Sequence, residues 1–208
     1  MHYVDHLSKD KKIKKLIEEH GVFKLQKKKN LCLYLCYSIV SQQLSTKVAT
    51  VIKNRFIDLY GGEPTPQQIA DTPFEKLRGI GMSNAKVSYV QNVARFEIEQ
   101  GMDHKKLNKM SNEEVIACLT QIKGVGRWTT EMLLMFALCR EDIFAIDDLG
   151  IQNAMIGLYK LDNTDKKNLK EELLRISEKW SPYRTYACMY MWRWKDNLPV
   201  NNGKKKNR

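Results

Sequence analysis

Residues 121–151, QIKGVGRWTTEMLLMFALCREDIFAIDDLGI, constrain this chain more than any other stretch, because two glycines separate two segments of helical character. Ser111 and Glu114 have the spacing of a capping box, which opens a helix ahead of the glycines. Lys123-Gly124-Val125-Gly126 then turns the chain, and Trp128-Thr129-Thr130-Glu131-Met132-Leu133-Leu134 begins a second, apolar helix. Two glycines allow a tight turn and leave backbone N–H groups unshielded at the second helix's start, a place suited to a phosphate. Beyond it, Asp147-Asp148 stands at the head of a further helix. Each part also has a plainer reading. A Gly-x-Gly between helices can be only a tight connection, and an aspartate before Leu149-Gly150-Ile151 can be only an N-cap.

The remainder reads as short helices joined by polar turns. Ile13, Leu16 and Ile17 have helical spacing among lysines in the first thirty residues. Leu31, Leu35, Ile39 and Val40, then Val48, Val51, Ile52, Phe56 and Leu59, mark helices on either side of Ser41-Gln42-Gln43-Leu44-Ser45-Thr46-Lys47. Thr65-Pro66 and Thr72-Pro73 each place a capping residue before a proline, and Thr72 with Glu75 has capping-box spacing. Leu77-Arg78-Gly79-Ile80-Gly81-Met82-Ser83 echoes the later glycine turn and leads into a helix over about 84–100, a second turn read as structural. After the aspartate pair come helices over 151–161, from a Thr164 cap to about Trp180, and from Ser181-Pro182 onward. No run demands a strand, although 142–146 is the most extended piece.

Four motifs in this order, SIVSQQLSTKVA, GVGRWTTEMLLMFAL, DIFAIDDLGI and WSPYRTYACMYMWRW, resemble the helix–hairpin–helix DNA glycosylases, and within them the alkylbase (3-methyladenine) branch. The likeness runs from about Tyr34 to Trp194. It implies an all-α, two-lobed fold with a DNA-binding cleft between the lobes. One lobe is expected over residues 36–143, the other over 1–35 with 144–200, and residues 201–208 form a basic disordered tail. The resemblance implies a catalytic aspartate at Asp148, with Asp147 as fallback. It places Trp192 against a flipped base, Trp128 in the pocket, and Met132 where some relatives have tyrosine. Tyr190 is a further aromatic on the same last helix as Trp192. It also implies that Gln42, Gln43, Leu44 and Ser45 face DNA, with Gln43 matching the wedge that fills the gap. The hairpin residues Lys123, Gly124, Val125, Gly126, Arg127 and Thr129 are the expected phosphate contacts.

The same resemblance says which chemistry to expect. Members that also cut the backbone carry a lysine two residues after the second hairpin glycine, and Trp128 stands there. A monofunctional enzyme hydrolysing the N-glycosidic bond of alkylated purines is the expectation. The alternatives are a non-catalytic DNA-binding or damage-sensing protein, and a bifunctional glycosylase for oxidised bases.

Composition agrees with a polyanionic partner. Lys and Arg number 35 against 24 acidic residues, a net charge of +11. Double-stranded DNA containing alkylated bases is the expected partner, bound by a monomer, with no membrane association. Cys32, Cys36, Cys118, Cys139 and Cys188 are scattered, without a Cys-x-x-Cys pair, and only Cys188 is near the C-terminus, where iron–sulfur members carry four. No metal and no cofactor are expected. The start lacks an apolar secretory core, and the apolar run 31–40 is too short for a bilayer. A cytoplasmic, nucleoid-associated protein is expected, or a nuclear one in a eukaryotic cell.

Overall fold

The computed structural model describes residues 2–197; the tail expected over 201–208 lies outside them. Among the described residues there are only helices. In chain order they are α1 (His2–Leu7), α2 (Lys11–His20), α3 (Leu31–Ser41), α4 (Thr46–Asp58), α5 (Pro66–Asp71), α6 (Phe74–Gly79) and α7 (Asn84–Gln100). Then follow α8 (His104–Leu107), α9 (Asn112–Leu119), α10 (Arg127–Phe136), α11 (Leu149–Tyr159), α12 (Lys166–Glu178) and α13 (Arg184–Asp196). No described helix is long and apolar enough to cross a membrane. The extended piece at 142–146 is a loop.

Most starts are written in the sequence as side chains that accept a hydrogen bond from the first turn. Asp10, Asn30, Ser45, Thr65, Ser83, Asp103, Ser111, Asp148 and Asp165 all do this. Ser111 and Glu114 form the expected capping box, and Thr65 forms another with Gln68. Three expectations change. Thr72 makes no capping box with Glu75, because its hydroxyl donates to Gln68 O and pairs with the Tyr60 hydroxyl, and Pro73 takes the cap position. Asp165 rather than Thr164 caps α12, since a carboxylate accepts from both Lys167 N and Asn168 N. Ser181 does not open α13: its hydroxyl donates to Asp142, and the helix begins at Arg184.

By packing, the chain divides into two units, one from the described parts of Met1–Lys24 and Glu141–Arg208, the other from Leu25–Arg140. A cut at residues 35/36 would run through the middle of α3, so residues 25–35 go with the centre of the chain, and the second boundary falls at 140/141. In the central unit α7 packs on α3 and α5, and α10 packs on α3 and α9. Leu35, Cys36, Ile39, Val90, Val93 and Ala94 are wholly buried there. In the terminal unit α13 packs on α11 and α2. Asp10 ties its ends together: Oδ1 caps α2, while Oδ2 accepts from the Tyr159 hydroxyl at 2.6 Å and Trp180 Nε1 at 3.3 Å.

Two glycine sites let large rings come close. Gly124 has φ +106°, and a Cβ there would lie 2.2 Å from Cγ of Tyr89 on α7, so the turn can sit on α7 only without a side chain. On α11, a Cβ at Gly157 would meet Trp194 at 2.7 Å. We predict that Gly124→Ala lowers unfolding free energy by about 2–3 kcal/mol through backbone strain and displacement of Tyr89. A urea titration followed by circular dichroism measures it, and an unchanged midpoint would contradict this packing.

Candidate active site and DNA-binding elements

In the terminal unit, α11 begins where the loop 141–148 ends, and Asp148 is its N-cap. Asp148 Oδ1 accepts from Ile151 N at 2.8 Å and from Trp192 Nε1 at 3.0 Å. The carboxylate is 9% exposed, whereas Asp147 beside it is exposed. Both bonds to Oδ1 come from N–H donors, one of them the backbone at the helix N-terminus, and together they fix the position of that oxygen. Gly150 makes room for the pair: a Cβ there would lie 2.9 Å from Asp148 Oδ1 and 3.2 Å from Trp192 Cδ1.

The loop that delivers Asp148 is fastened along its length. Thr185 N donates to Glu141 O at 2.9 Å, and Ile143 N donates to Thr185 Oγ1 at 3.1 Å. Gln152 Nε2 donates to Ile146 O at 2.8 Å. Asp142 is gripped by Arg184, through Nε at 2.6 Å and Nη2 at 2.8 Å, and by the Ser181 hydroxyl at 2.9 Å. Burial raises the Asp142 carboxyl, but the hydrogen bonds from Arg184 and Ser181 outweigh it and hold the group below the usual carboxylate value.

The central unit carries the glycine hairpin between α9 and α10. Gly126 is the N-cap of α10, and no side chain caps that helix. The earlier echo differs here, because Ser83 caps α7 by accepting from Lys86 N. Asn92 Nδ2 donates to Lys123 O at 3.2 Å and ties the hairpin to α7. Val125 is buried beneath the turn, while Lys123 is exposed. Arg127 bridges two carboxylates, with Nη2 2.7 Å from Glu113 and Nε 3.0 Å from the buried Glu131, and the bond to Glu113 raises its pKa further. Its guanidinium is therefore held by protein.

Next to the hairpin helix is a cavity of about 1030 Å³, within the central unit. Trp128, Thr129, Met132, Gln42 and Gln43, all singled out from the sequence, line it together. Trp128 is 45% exposed and Met132 8%. Thr129 is nearly buried and faces inward, where Gln42 Nε2 donates to its hydroxyl at 3.5 Å. It is a cavity wall rather than an outward contact. Gln43 is exposed at φ +57°, and Ser45 caps α4. Leu44 is half-buried.

Tyr190 has a different place. It is wholly buried in the terminal unit, its ring 4.7 Å from that of Phe23 and its hydroxyl donating to Gly21 O at 2.8 Å. It is a core residue, since Tyr186 and Ala187, one turn before it on the same face, are also buried.

The sequence reading passed over Tyr34, Tyr37 and Phe136, which line the cavity with Ser38 and Ser41. The signal was present: 34, 37, 38 and 41 fall at i, i+3, i+4 and i+7 on α3, opposite the core stripe. The Tyr34 hydroxyl donates to Met132 O at 3.1 Å, and burial, partly offset by Ser38, pushes its pKa up to about 12. Lys27, Lys28, Lys29 and Lys53 also border the cavity, so its edge is cationic.

A family model described as "HhH-GPD superfamily base excision DNA repair protein" matches residues 36–181. The chain belongs to that superfamily. It is 39% identical over 186 residues to DNA-3-methyladenine glycosylase 1 of Schizosaccharomyces pombe, covering 88% of this chain and 80% of that protein. Among solved structures, the S. pombe 3-methyladenine DNA glycosylase (Mag1) in complex with abasic DNA superposes with a TM-score of 0.83. The two are 36% identical, over 95% of this chain and 98% of that one. A DNA-3-methyladenine glycosidase from Bacillus halodurans gives a TM-score of 0.80 at 35% identity, over 92% and 88% of the two chains.

Two outcomes test the terminal unit of this superfamily member. Asp142, depressed in the folded state, stabilises above its unfolded pKa, and the contribution is lost as pH falls through the folded value. The wild type should therefore lose stability below about pH 4 more steeply than Asp142→Asn, as read from urea midpoints; parallel curves would remove Asp142 from the acid response. Gly150→Ala should shift the Trp192 indole N–H resonance and cost about 1–3 kcal/mol by overpacking. An unmoved resonance would show that the pair does not need the glycine.

Proposed function

We propose that this protein is a monofunctional DNA glycosylase that extrudes an alkylated purine from duplex DNA and hydrolyses its N-glycosidic bond, leaving an abasic site. The observation that carries this reading is Asp148, fixed at the head of α11 by two hydrogen bonds, one of them from Trp192. The names of the relatives support the reaction class, and the abasic DNA in the S. pombe structure supports the product.

Alkylation of a ring nitrogen makes the base cationic and a good leaving group, so no strong acid is required. The positive charge that develops on the deoxyribose needs a partner. A carboxylate about 4 Å from it contributes on the order of 4 kcal/mol at an effective dielectric near 20, or roughly a thousandfold in rate. Asp148 has that role and orients water at the sugar. The Trp192 N–H keeps the carboxylate aimed, while its ring stacks on the extruded base. In the central unit, Trp128 and Met132 give that unit's own cavity a wall suited to a planar base. Residues 42–45 fill the gap in the duplex, and the hairpin N–H groups at the start of α10 hold a phosphate. Trp128 occupies the position of the lyase lysine, so no Schiff base forms. The protein acts as a monomer.

Asp148→Asn, which can still cap α11, should reduce release of 3-methyladenine from methylated duplex at least about a hundredfold while retaining affinity for an abasic-site duplex. Full activity in that variant would refute the catalytic assignment. No release by the wild type from any of several alkylated duplexes would leave a DNA-binding protein without this chemistry. Borohydride should trap no covalent complex, and a trapped complex would overturn the monofunctional reading.

A further inference from the structure

Helix α7 touches both segments of the central unit to which DNA contact has just been assigned. At its first turn, Lys86 Nζ donates to Val40 O at 2.9 Å and to Gln42 O at 2.8 Å, the carbonyls at the end of α3. Gln43 follows at φ +57°, a conformation that an L residue keeps only where neighbours hold it. One turn on, Tyr89 lies against Gly124, and at the next turn Asn92 Nδ2 holds Lys123 O. Residues 86, 89 and 92 succeed one another at i, i+3 and i+6, so each is the helical neighbour of the next. All three are half-buried, beside a core stripe of Val87, Val90, Val93 and Ala94. Lys86 has no carboxylate within 4.0 Å among the described residues, and burial lowers its pKa. Its ammonium is directed at backbone carbonyls rather than at an ion-pair partner.

We propose that α7 acts as a ruler: Lys86, Tyr89 and Asn92 are positioning residues that hold the 42–45 loop and the 123–126 hairpin at one fixed separation, so that both meet a single duplex in register. The proposal rests on the reading that the loop and the hairpin contact DNA. Six residues of helix set the two anchor points about 9 Å apart along the axis. Two contacts on one duplex reinforce each other only while their spacing matches that of their targets. A lysine at the C-terminal end of α3 is also suited to the electrostatics there. Loosening either anchor frees one contact from the other without removing any group that touches DNA.

The test uses the full chain, a duplex with a tetrahydrofuran abasic site flanked by 2-aminopurine, and an undamaged duplex of the same sequence. Lys86→Met should weaken abasic-duplex binding by about tenfold and reduce the 2-aminopurine signal, with undamaged-duplex binding unchanged. The slope of log K against log salt should also stay the same. A slope lower by about one, with equal weakening on both duplexes, would make Lys86 a phosphate contact and overturn the proposal. Lys86→Arg, which can still donate to both carbonyls, should restore binding, and its failure to do so counts against the ruler. Asn92→Ala should resemble Lys86→Met, and the double variant should be little worse than either single; losses that multiply would show independent anchors and overturn the coupling. If Lys86→Met does not fold, Lys86→Arg and Asn92→Ala still decide. Gln43→Ala separates the two layers. Unchanged abasic-duplex binding there refutes the loop contact itself, whereas weakened binding there with a silent Lys86→Met refutes only the ruler.

Discussion

Every helix end leaves backbone N–H or C=O groups that the helix cannot satisfy, and a chain built from many short helices has many such ends. Their satisfaction organises this molecule. Most N-termini are closed by a serine, threonine, asparagine or aspartate of the immediately preceding residue. Three ends in the proposed functional elements have a further peculiarity, although α6 and α13 also start without a side-chain cap. The last carbonyls of α3 are held by Lys86 from another helix, α10 starts without any side-chain cap, and the cap of α11 is shared with an indole.

Asp148 shows how one group can serve structure and chemistry together. Its Oδ1 closes α11 and accepts from Trp192, which settles where the carboxylate lies before any substrate arrives. The supporting loop is tied down at Glu141, Asp142, Ile143 and Ile146 by residues of α11 and α13 or just before α13. The cap reading and the catalytic reading of this aspartate are therefore compatible, and the cap bond is part of what makes the group rigid.

Much of the fold was legible. Cap residues and apolar periodicity located α3, α4, α7, α9 and α11 closely, because those signals act within one or two turns. The errors have local causes of another kind. Thr72 had the right spacing to Glu75, but its hydroxyl found Gln68 O and Tyr60 instead. Asp165 outcompeted Thr164 because a carboxylate accepts two N–H bonds at once. Tyr190 and Trp192 lie on one helix and looked alike as candidates, yet one ring is packed on Phe23 and the other reaches Asp148. Nothing in their own spacing distinguishes a core ring from one at a site.

What the sequence determined by itself is most of the helices, the glycine hairpin, the aspartate at the head of α11 and the excess of positive charge, all of which depend on neighbouring residues or on sums. Only the tertiary structure decided that Arg127 is held between Glu113 and Glu131, that Thr129 turns inward beside Gln42, and that Tyr34 and Tyr37 line a cavity. It alone brought Lys86 to the end of α3 and Trp192 to Asp148 across 44 residues of chain. The reason is physical: a cap or a periodic face is chosen by short-range geometry, whereas a partner distant in sequence is chosen by how whole helices pack.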